Sequence, residues 1–358
     1  MIYFFPMFSR HAGDTPYGEA LRSIGVAHRI YGEKISFQYR TAFGLILVCI
    51  PQLVRFALRN AWISFVRDRP APDAVVLSSD VEALIFAAAR FLTGKRAARI
   101  VVTPFIYTTR SQRWANVLRR AYYGFVLRHV DLAIVHSRAE AARYREVFPR
   151  ARATFVFVPY GLNIDERSQL LAAARAAPAH ERPVVVTAGK SGRDYATLFH
   201  AVVGLDVEVR VICDFAPAVP PVPTGARVVV LGDCHGWDYL NELARADIVA
   251  LPLALDDISA GQMCLIQAKA LERAIIVTDT TTIRDYVTDG VDAMLVARGE
   301  AAAMRAMIER LAGDAGLRAR LGQKAAGSFE RDHSTFGFMR ALVGAVGGHP
   351  DGAGRAQR

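Results

Sequence analysis

The chain has 358 residues, of which 52% are hydrophobic and 22% are charged, and its formal net charge at pH 7 is +10. At about 150 residues per domain this length predicts roughly two domains, and the composition excludes a disordered chain, a collagen-like chain and a small disulfide-stapled module. The positive excess requires an anionic partner, which is a nucleic acid, a membrane surface or a phosphate-rich ligand.

Twelve short β-branched segments alternate with helical stretches along the chain. Such near-continuous apolar runs predict parallel strands whose sheets are covered by helices on both faces. The predicted strands are Ile2–Phe5, Val26–Ile30, Ala74–Leu77, Ile100–Thr103, Leu132–Val135, Phe155–Val158, Val184–Thr187, Val207–Ile212, Arg227–Leu231, Ile248–Leu251, Ala274–Thr278 and Ala293–Val296. They predict two doubly wound α/β domains, residues 1–165 and 166–340, with a linker in Asn163–Pro183 and a flexible tail at 341–358.

The excess of positive charge lies in the first half of the sequence. Residues 1–165 hold 23 Lys/Arg and 11 Asp/Glu, a net +12, whereas residues 166–358 hold 21 and 23, a net −2. Arginines flank apolar residues in Arg110–Arg128 and Ala42–Arg69, which are predicted amphipathic segments. We expect their apolar stripes to pack on the first sheet, with lipid contact as the alternative. The net +12 still favours a domain that meets an anionic membrane surface.

The cysteines and apolar runs bear on location. Cys49, Cys213, Cys234 and Cys264 form no CxxC pair, so we expect free thiols in a reducing compartment and no metal site. No secretory leader is recognisable, and the most apolar run, Ala42–Val54, falls short of the roughly 20 residues of a membrane span. We therefore expect a cytoplasmic protein that is not integral to the membrane.

The turn after the seventh strand is the first candidate site. Gly189-Lys190-Ser191 lacks the Walker glycine, since that position is Val184, and no GxGxxG follows the first strand. In Gly189–Arg193 the glycines allow a tight turn, and Lys190 and Arg193 present two cations at a helix start. That combination suits a diphosphate. A plain solvated turn with Asp194 as helix cap is equally open.

The second candidate site follows the tenth strand. Ser259 is the predicted cap of a helix whose start contains Ala260, Gly261, Gln262 and Met263. Gly261 allows close approach, and the exposed N–H groups favour an anion such as a diphosphate. Ala260 and Gln267 are expected to share one helix face about 10 Å apart, so that Gln267 reaches a ribose. The alternative makes Gln267 an ordinary half-buried polar residue.

These stretches resemble the nucleotide-binding domain of family-4-type, group 1 glycosyltransferases with the GT-B fold, in which two Rossmann-like domains face a central cleft. The resemblance is carried by Ala188–Leu198, Ala246–Asp279 and Asp285–Val296, and more weakly by the first half. It implies retaining, metal-independent sugar transfer from a nucleotide-diphosphate sugar, with no cofactor.

The resemblance also assigns candidate roles to single positions. The family's two glutamate positions fall on Ser259 and Gln267, and Asp256 and Asp257 are candidates to replace the carboxylate that Ser259 lacks. His11 and Asp14 are candidates for acceptor-side catalysis in the loop after the first strand.

The resemblance implies an enzyme that builds a bacterial cell-envelope polysaccharide or glycolipid at the inner face of the membrane. Its expected partners are a nucleotide-diphosphate sugar, a glycan or lipid-linked acceptor and an anionic membrane surface, without nucleic acid. Two alternatives are open. One is a GT-B-fold nucleotide-sugar epimerase, and the other is a catalytically degenerate glycosyltransferase that acts as a binding or scaffold protein at the membrane.

Overall fold

The computed structural model describes residues 1–7, 15–33, 35, 49–109, 112–256 and 258–347. The chain divides into two compact units. The N-terminal unit contains Met1–Val158 and Met339–Arg358, and the C-terminal unit is Pro159–Phe338. Each unit is built on its own six-stranded sheet, in which every strand pair is parallel.

The N-terminal unit has the strand order β2-β1-β3-β4-β5-β6. Its strands are β1 Ile2–Phe4, β2 His28–Ile30, β3 Ala74–Leu77, β4 Arg99–Val102, β5 Leu132–Val135 and β6 Thr154–Phe157. Its helices are α1 Pro16–Ser23, α2 Ile50–Trp62, α3 Asp80–Leu92, α4 Arg113–Val126 and α5 Arg138–Val147, and a π-helical turn, Ile63–Arg67, continues α2. The first, third, fourth and fifth strands are buried or nearly so, as a sheet covered on both faces requires.

The C-terminal unit has the strand order β12-β11-β10-β7-β8-β9. Its strands are β7 Val184–Ala188, β8 Glu208–Ile212, β9 Val228–Leu231, β10 Ile248–Leu251, β11 Ala274–Thr278 and β12 Met294–Val296. Its helices are α6 Arg167–Ala176, α7 Tyr195–Ala201, α8 Gly236–Arg245, α9 Gln262–Ala270, α10 Ala301–Gly313 and α11 Ala315–Ser328, and α12 Thr335–Gly347 begins here. Two separate hydrophobic clusters fill this unit.

All twelve predicted strands are confirmed, with ends that shift by no more than two residues. The two doubly wound α/β sheets follow from this pattern. Contacts divide the chain at Val158–Pro159, seven residues before the predicted domain boundary. The Ser137 side chain caps α5 by accepting from the Ala139 N–H.

Two predictions for the connecting segments are corrected. The stretch Asn163–Pro183, predicted as a linker, contains α6 and belongs to the C-terminal unit, since Leu170 and Leu171 are buried in its core. The first residues of the segment predicted as a flexible tail, 341–347, are helical. The helix α12 continues to Gly347, because Leu342 and Val346 bury apolar side chains there.

A third correction concerns the amphipathic segment at Arg110–Arg128. Its apolar stripe was expected to pack on the sheet, but in α4 only Val126 is fully buried, while Trp114, Val117, Leu118 and Phe125 are more than half exposed. In α2 the expectation holds, because Leu53, Phe56 and Ala57 are buried. No helix among the described residues combines the length and apolarity needed to cross a bilayer.

Candidate functional site

The strand order of the C-terminal unit places a topological switch between β7 and β10. The chain winds outward from β7 through β8 to β9, then returns to place β10 on the other side of β7. Doubly wound sheets bind ligands in the crevice at the carboxyl ends of the two strands at such a switch. The two candidate turns found in the sequence, Gly189–Arg193 and Ser259–Gln262, follow these two strands.

The turn after β7 is held by its own residues. Gly189 and Gly192 have φ angles of 104° and 63°, a region that favours glycine. The Tyr195 hydroxyl donates to the Gly189 carbonyl. Asp194 caps α7 by accepting from the Thr197 N–H at 3.1 Å. The capping interpretation and the anion-site interpretation are therefore compatible, because the cap occupies Asp194 and leaves both cations of the turn.

Arg193 crosses the turn and packs on it. Its Nε donates to the Ala188 carbonyl at 2.7 Å, and its Nη1 donates to the Ser191 carbonyl at 3.1 Å. Its Nη2 has no hydrogen-bond acceptor among the described residues, and a β-carbon on Gly189 would lie 2.7 Å from that atom. The guanidinium is thus oriented by backbone carbonyls, with one nitrogen left over for a ligand.

The two candidate turns meet at Arg193. A β-carbon on Gly261 would lie 3.5 Å from its Nη1, and a β-carbon on Gly192 would lie 3.3 Å from Cβ of Ala260. Arg193 also forms an antiparallel bridge with Leu253, just beyond β10. The two turns therefore lie side by side within the C-terminal unit.

The charge of this site is not neutralised. Lys190 is exposed and has no hydrogen bond or ion pair with the described residues. Within 4.0 Å of Arg193 there is also no carboxylate of a described residue. Two cations without a counterion among the described residues lie beside the glycine backbone of the turn and form a region of positive potential at the switch point, which suits a diphosphate.

The helix after β10 begins later than predicted. Gly261, with φ of 86°, is the cap of α9, and Gln262 is the first helical residue, so Ser259 is not the cap. The reason is the left-handed conformation at Gly261, which breaks the helical path. The N–H groups of Gln262 and Met263 have no intrahelical acceptor, as at every helix start. Gln262 is buried and its Nε2 has no hydrogen-bond partner among the described residues, while the Met263 side chain is exposed.

Gln267 lies within α9, and Ala260 lies before it, so the predicted shared helix face is wrong. Gln267 has a different and specific partner. The Tyr239 hydroxyl donates to its Oε1 at 2.8 Å. Burial raises the pKa of Tyr239, which keeps that phenol protonated and able to donate. The Gln267 amide is therefore oriented with its NH2 group directed away from Tyr239.

Sequence reasoning missed Tyr195 and Tyr239 as positioning residues. Tyr195 was visible in the Arg-Asp-Tyr pattern of the turn, whereas Tyr239 carried no local signal because its contact is 28 residues distant. Asp256, a candidate to replace the family's glutamate, accepts from the Thr281 N–H at 2.9 Å. Asp257, His11 and Asp14 lie outside the described residues.

One group of possible metal ligands lies at the neighbouring strand ends. Asp214 follows β8, and Asp233 and His235 follow β9; one ligand atom from each lies within 4.8 Å of the others. The fold brings Asp214 Oδ2 to within 3.4 Å of His235 Nε2. All three side chains are exposed.

Part of the chain matches a known protein family. Residues 207–314 match the family model described as glycosyl transferases group 1. This segment is similar to glycosyltransferases of the group 1 type. The matched segment contains the start of α9 and Gln267, and the turn at Gly189–Arg193 precedes it. A comparison with curated protein sequences gives no match.

Solved structures of the GT-B glycosyltransferase fold resemble the whole chain. A glycosyltransferase from Rickettsia africae has a TM-score of 0.64 at 14% identity, covering 96% of this chain and 97% of its own. HepE from Anabaena, in complex with UDP and glucose, gives 0.62 at 12%, covering 97% and 99%. Sucrose-phosphate synthase from Thermosynechococcus elongatus gives 0.63 at 15%, covering 96% and 97%. The expected fold is confirmed.

Proposed function

We propose that this glycosyltransferase binds a nucleotide-diphosphate sugar at the β7–β10 switch and transfers the sugar to an acceptor. The observation that carries the proposal is the position of Arg193 between the Gly189 turn and the start of α9, with Lys190 beside it. Gln267 would contact the ribose of the nucleotide. Ser259 and Ala260 would line the approach to the sugar.

The site offers the chemistry that such a transfer needs. When the bond between the anomeric carbon and the phosphate oxygen breaks, negative charge develops on the departing diphosphate. Preoriented cations and helix N–H groups stabilise this charge without reorganisation. The cations would be the side chains of Lys190 and Arg193. The N–H groups would be the backbone amides of Gln262 and Met263. We therefore propose transfer without a metal and, from the family resemblance, with retention at the anomeric carbon.

On the acceptor side we propose a lipid-linked or polysaccharide acceptor and a protein that works peripherally at the inner face of a bacterial cell membrane. The support is the net charge of +12 in residues 1–165. Because this excess lies outside the near-neutral donor half, it is explained by an anionic partner other than the donor. Nucleic acid is not among the proposed partners. His11 and Asp14 remain the proposed acceptor-side residues.

The experiment is a donor-binding titration of the full chain with UDP, GDP and ADP sugars, beginning with UDP-glucose because HepE was solved with UDP and glucose. Lys190→Ala and Arg193→Ala should each weaken donor binding at least tenfold, because each removes a charge-assisted contact of about 1.5–3 kcal/mol. Arg310→Ala, an exposed arginine on α10, is the matched control. Unchanged donor affinity in both site variants would refute the assignment.

A non-catalytic protein is the second candidate, favoured by Ser259 and Gln267 standing where the family has glutamates. That protein would bind the nucleotide-sugar at the same site and neither transfer nor hydrolyse the sugar. Conversion of the donor to an epimer without any acceptor would instead support the epimerase.

A transfer assay with EDTA and without it checks metal independence, because loss of transfer on chelation would contradict the proposal.

A further inference from the structure

The helix α4, Arg113–Val126, turns an apolar face away from the protein. At about 100° per residue its exposed apolar side chains fall within an arc of about 140°. They are Trp114, Val117, Leu118, Ala121, Tyr122 and Phe125. A surface helix of a globular protein places such a stripe against the core. In α4 the stripe is on the outside.

Packing on the inner side fixes this orientation. Arg119 lies there, with its guanidinium over the rings of Tyr107 and Tyr123 at 5.9 Å and 5.5 Å from their centroids. Val126 is the buried anchor at the end of the helix. Because an arginine takes the inner position while a tryptophan faces outward, the helix cannot hide its apolar face by a small rotation.

A groove runs along one edge of the apolar face. It has a volume of 610 Å³ and lies between α4 and the Val147–Ala151 segment. Its lining combines apolar side chains of both elements with Arg120, Arg128 and Arg150. Arg120 donates through Nε to the Val147 carbonyl at 3.0 Å, while Arg128 and Arg150 have no ion pair with a described carboxylate. Two guanidinium groups therefore remain at the groove without a counterion from the described residues.

The surrounding sequence strengthens this positive charge. Residues 83–130 contain nine Lys/Arg and no Asp or Glu. The next carboxylate, Asp131, is already engaged by Arg90 and by Arg152. One carboxylate, Asp80, lies at the edge of the face, where it is hydrogen-bonded to the Tyr122 side chain. An aromatic and aliphatic face bordered mainly by cations matches the headgroup region of an anionic bilayer, where apolar side chains enter the acyl boundary and arginines meet phosphates.

We propose that α4 lies in the plane of an anionic bilayer, with its apolar face in the acyl boundary. The groove beside it takes a lipid phosphate between Arg128 and Arg150. The 14-residue helix is about 21 Å long, too short to span the bilayer and long enough to lie on it. This inference gives the membrane part of the proposed function a specific surface, and it is independent of the donor site.

The test is co-sedimentation of the full chain with phosphatidylcholine vesicles with and without phosphatidylglycerol, at low and high salt. Binding should require the anionic lipid and weaken with salt. Phe125→Ala should reduce the partition coefficient roughly tenfold. Arg128→Gln and Arg150→Gln should each reduce it about fivefold. The matched controls in the C-terminal unit are Phe215→Ala and Arg310→Gln, since Phe215 and Phe125 are both 51% exposed.

Tryptophan fluorescence gives a second readout. Quenching by lipids brominated in the acyl chain should be strong and should be lost in Trp114→Phe. Equal binding of Phe125→Ala and the unaltered chain, or no quenching that depends on Trp114, would overturn the proposal. Concentration-dependent self-association without vesicle binding would overturn it in favour of a protein interface. Donor affinity measured on the same variants should be unchanged, which separates failure here from failure of the donor site.

Discussion

The guanidinium of Arg193 occupies the space in which a side chain at Gly189 would stand. A β-carbon on Gly189 would lie 2.7 Å from Nη2 and 3.2 Å from Cζ of Arg193. Gly189 also has φ of 104°, a backbone conformation that favours glycine, and an added side chain would push the guanidinium aside. Because Gly189 has no side chain, the Arg193 guanidinium has room to lie across the turn, where the backbone carbonyls of Ala188 and Ser191 orient it.

Gly189→Ala should therefore displace Arg193 and weaken UDP-sugar binding about tenfold or more, with some loss of stability from the φ angle. Isothermal titration would measure the affinity. Gly204→Ala is the matched control, because Gly204 has φ of 73° and open space around its α-carbon. It should lose stability by a similar amount and bind the donor normally. Equal affinity of the two variants would contradict the role given to Arg193.

Tyr239 should influence donor binding through Gln267. Tyr239→Phe removes the donor to Gln267 Oε1 and should weaken donor binding about fivefold, the worth of one hydrogen bond of about 1 kcal/mol. In the Tyr239→Phe/Gln267→Ala double variant the losses should be less than additive, since both act on the same amide. Fully additive losses would mean that Tyr239 does not position Gln267. Tyr286→Phe, which removes a phenol bonded to the Tyr160 N–H, is the control.

The buried Lys269 is predicted to stabilise the C-terminal unit because it neutralises the buried carboxylate of Asp292. Its Nζ donates to Asp292 Oδ2 at 2.7 Å, to Ser328 Oγ at 2.9 Å and to the Tyr286 carbonyl at 2.5 Å. Lys269→Met leaves the Asp292 carboxylate buried without its cation and should lower the free energy of unfolding by about 3–5 kcal/mol.

Adding Asp292→Asn to Lys269→Met should restore part of that loss, as urea unfolding would show. Arg227→Met breaks an exposed pair with Asp206 and should cost under about 1 kcal/mol. A loss in Lys269→Met no greater than that in Arg227→Met would show that the buried pair is not held as described.

His333 should make the stability of the protein depend on pH. Burial, and then the positive charge of Lys269, lowers the pKa of His333 to about 4, while its ring stacks on Tyr286 and contacts the Tyr160 carbonyl at 3.0 Å. In the unfolded chain the pKa is about 6.5, so between these values the unfolded state binds more protons. The free energy of unfolding should therefore be highest above about pH 6.5 and should fall as the pH drops toward 4.

Unfolding midpoints measured across that range would show the slope. His333→Gln should reduce the slope because it removes the titrating ring, whereas His200→Gln, at an exposed position, should leave it unchanged. A slope that is the same in all three proteins would rule out His333 as its source.

The sequence was sufficient to predict the strands. In parallel sheets covered on both faces the strands are short apolar runs, so Val184–Ala188 and Ala274–Thr278 are recognisable without tertiary information. The Gly189–Arg193 turn was also recognisable, because two glycines and two cations directly after a buried strand form a pattern typical of an anion site. Helix starts were less certain, since the left-handed Gly261 displaced the cap that Ser259 was expected to provide.

What the sequence alone determined is therefore local: twelve strands, two sheets, a cationic turn and a charge that belongs to the first half. The tertiary structure decided which groups meet and which face water. Strand order brings Arg193 to Gly261 and Tyr239 to Gln267 across long sequence distances. The periodicity of apolar residues along the sequence cannot predict such contacts. Packing of Arg119 on Tyr107 turns α4 outward, because helical periodicity defines a stripe and not the direction in which it points.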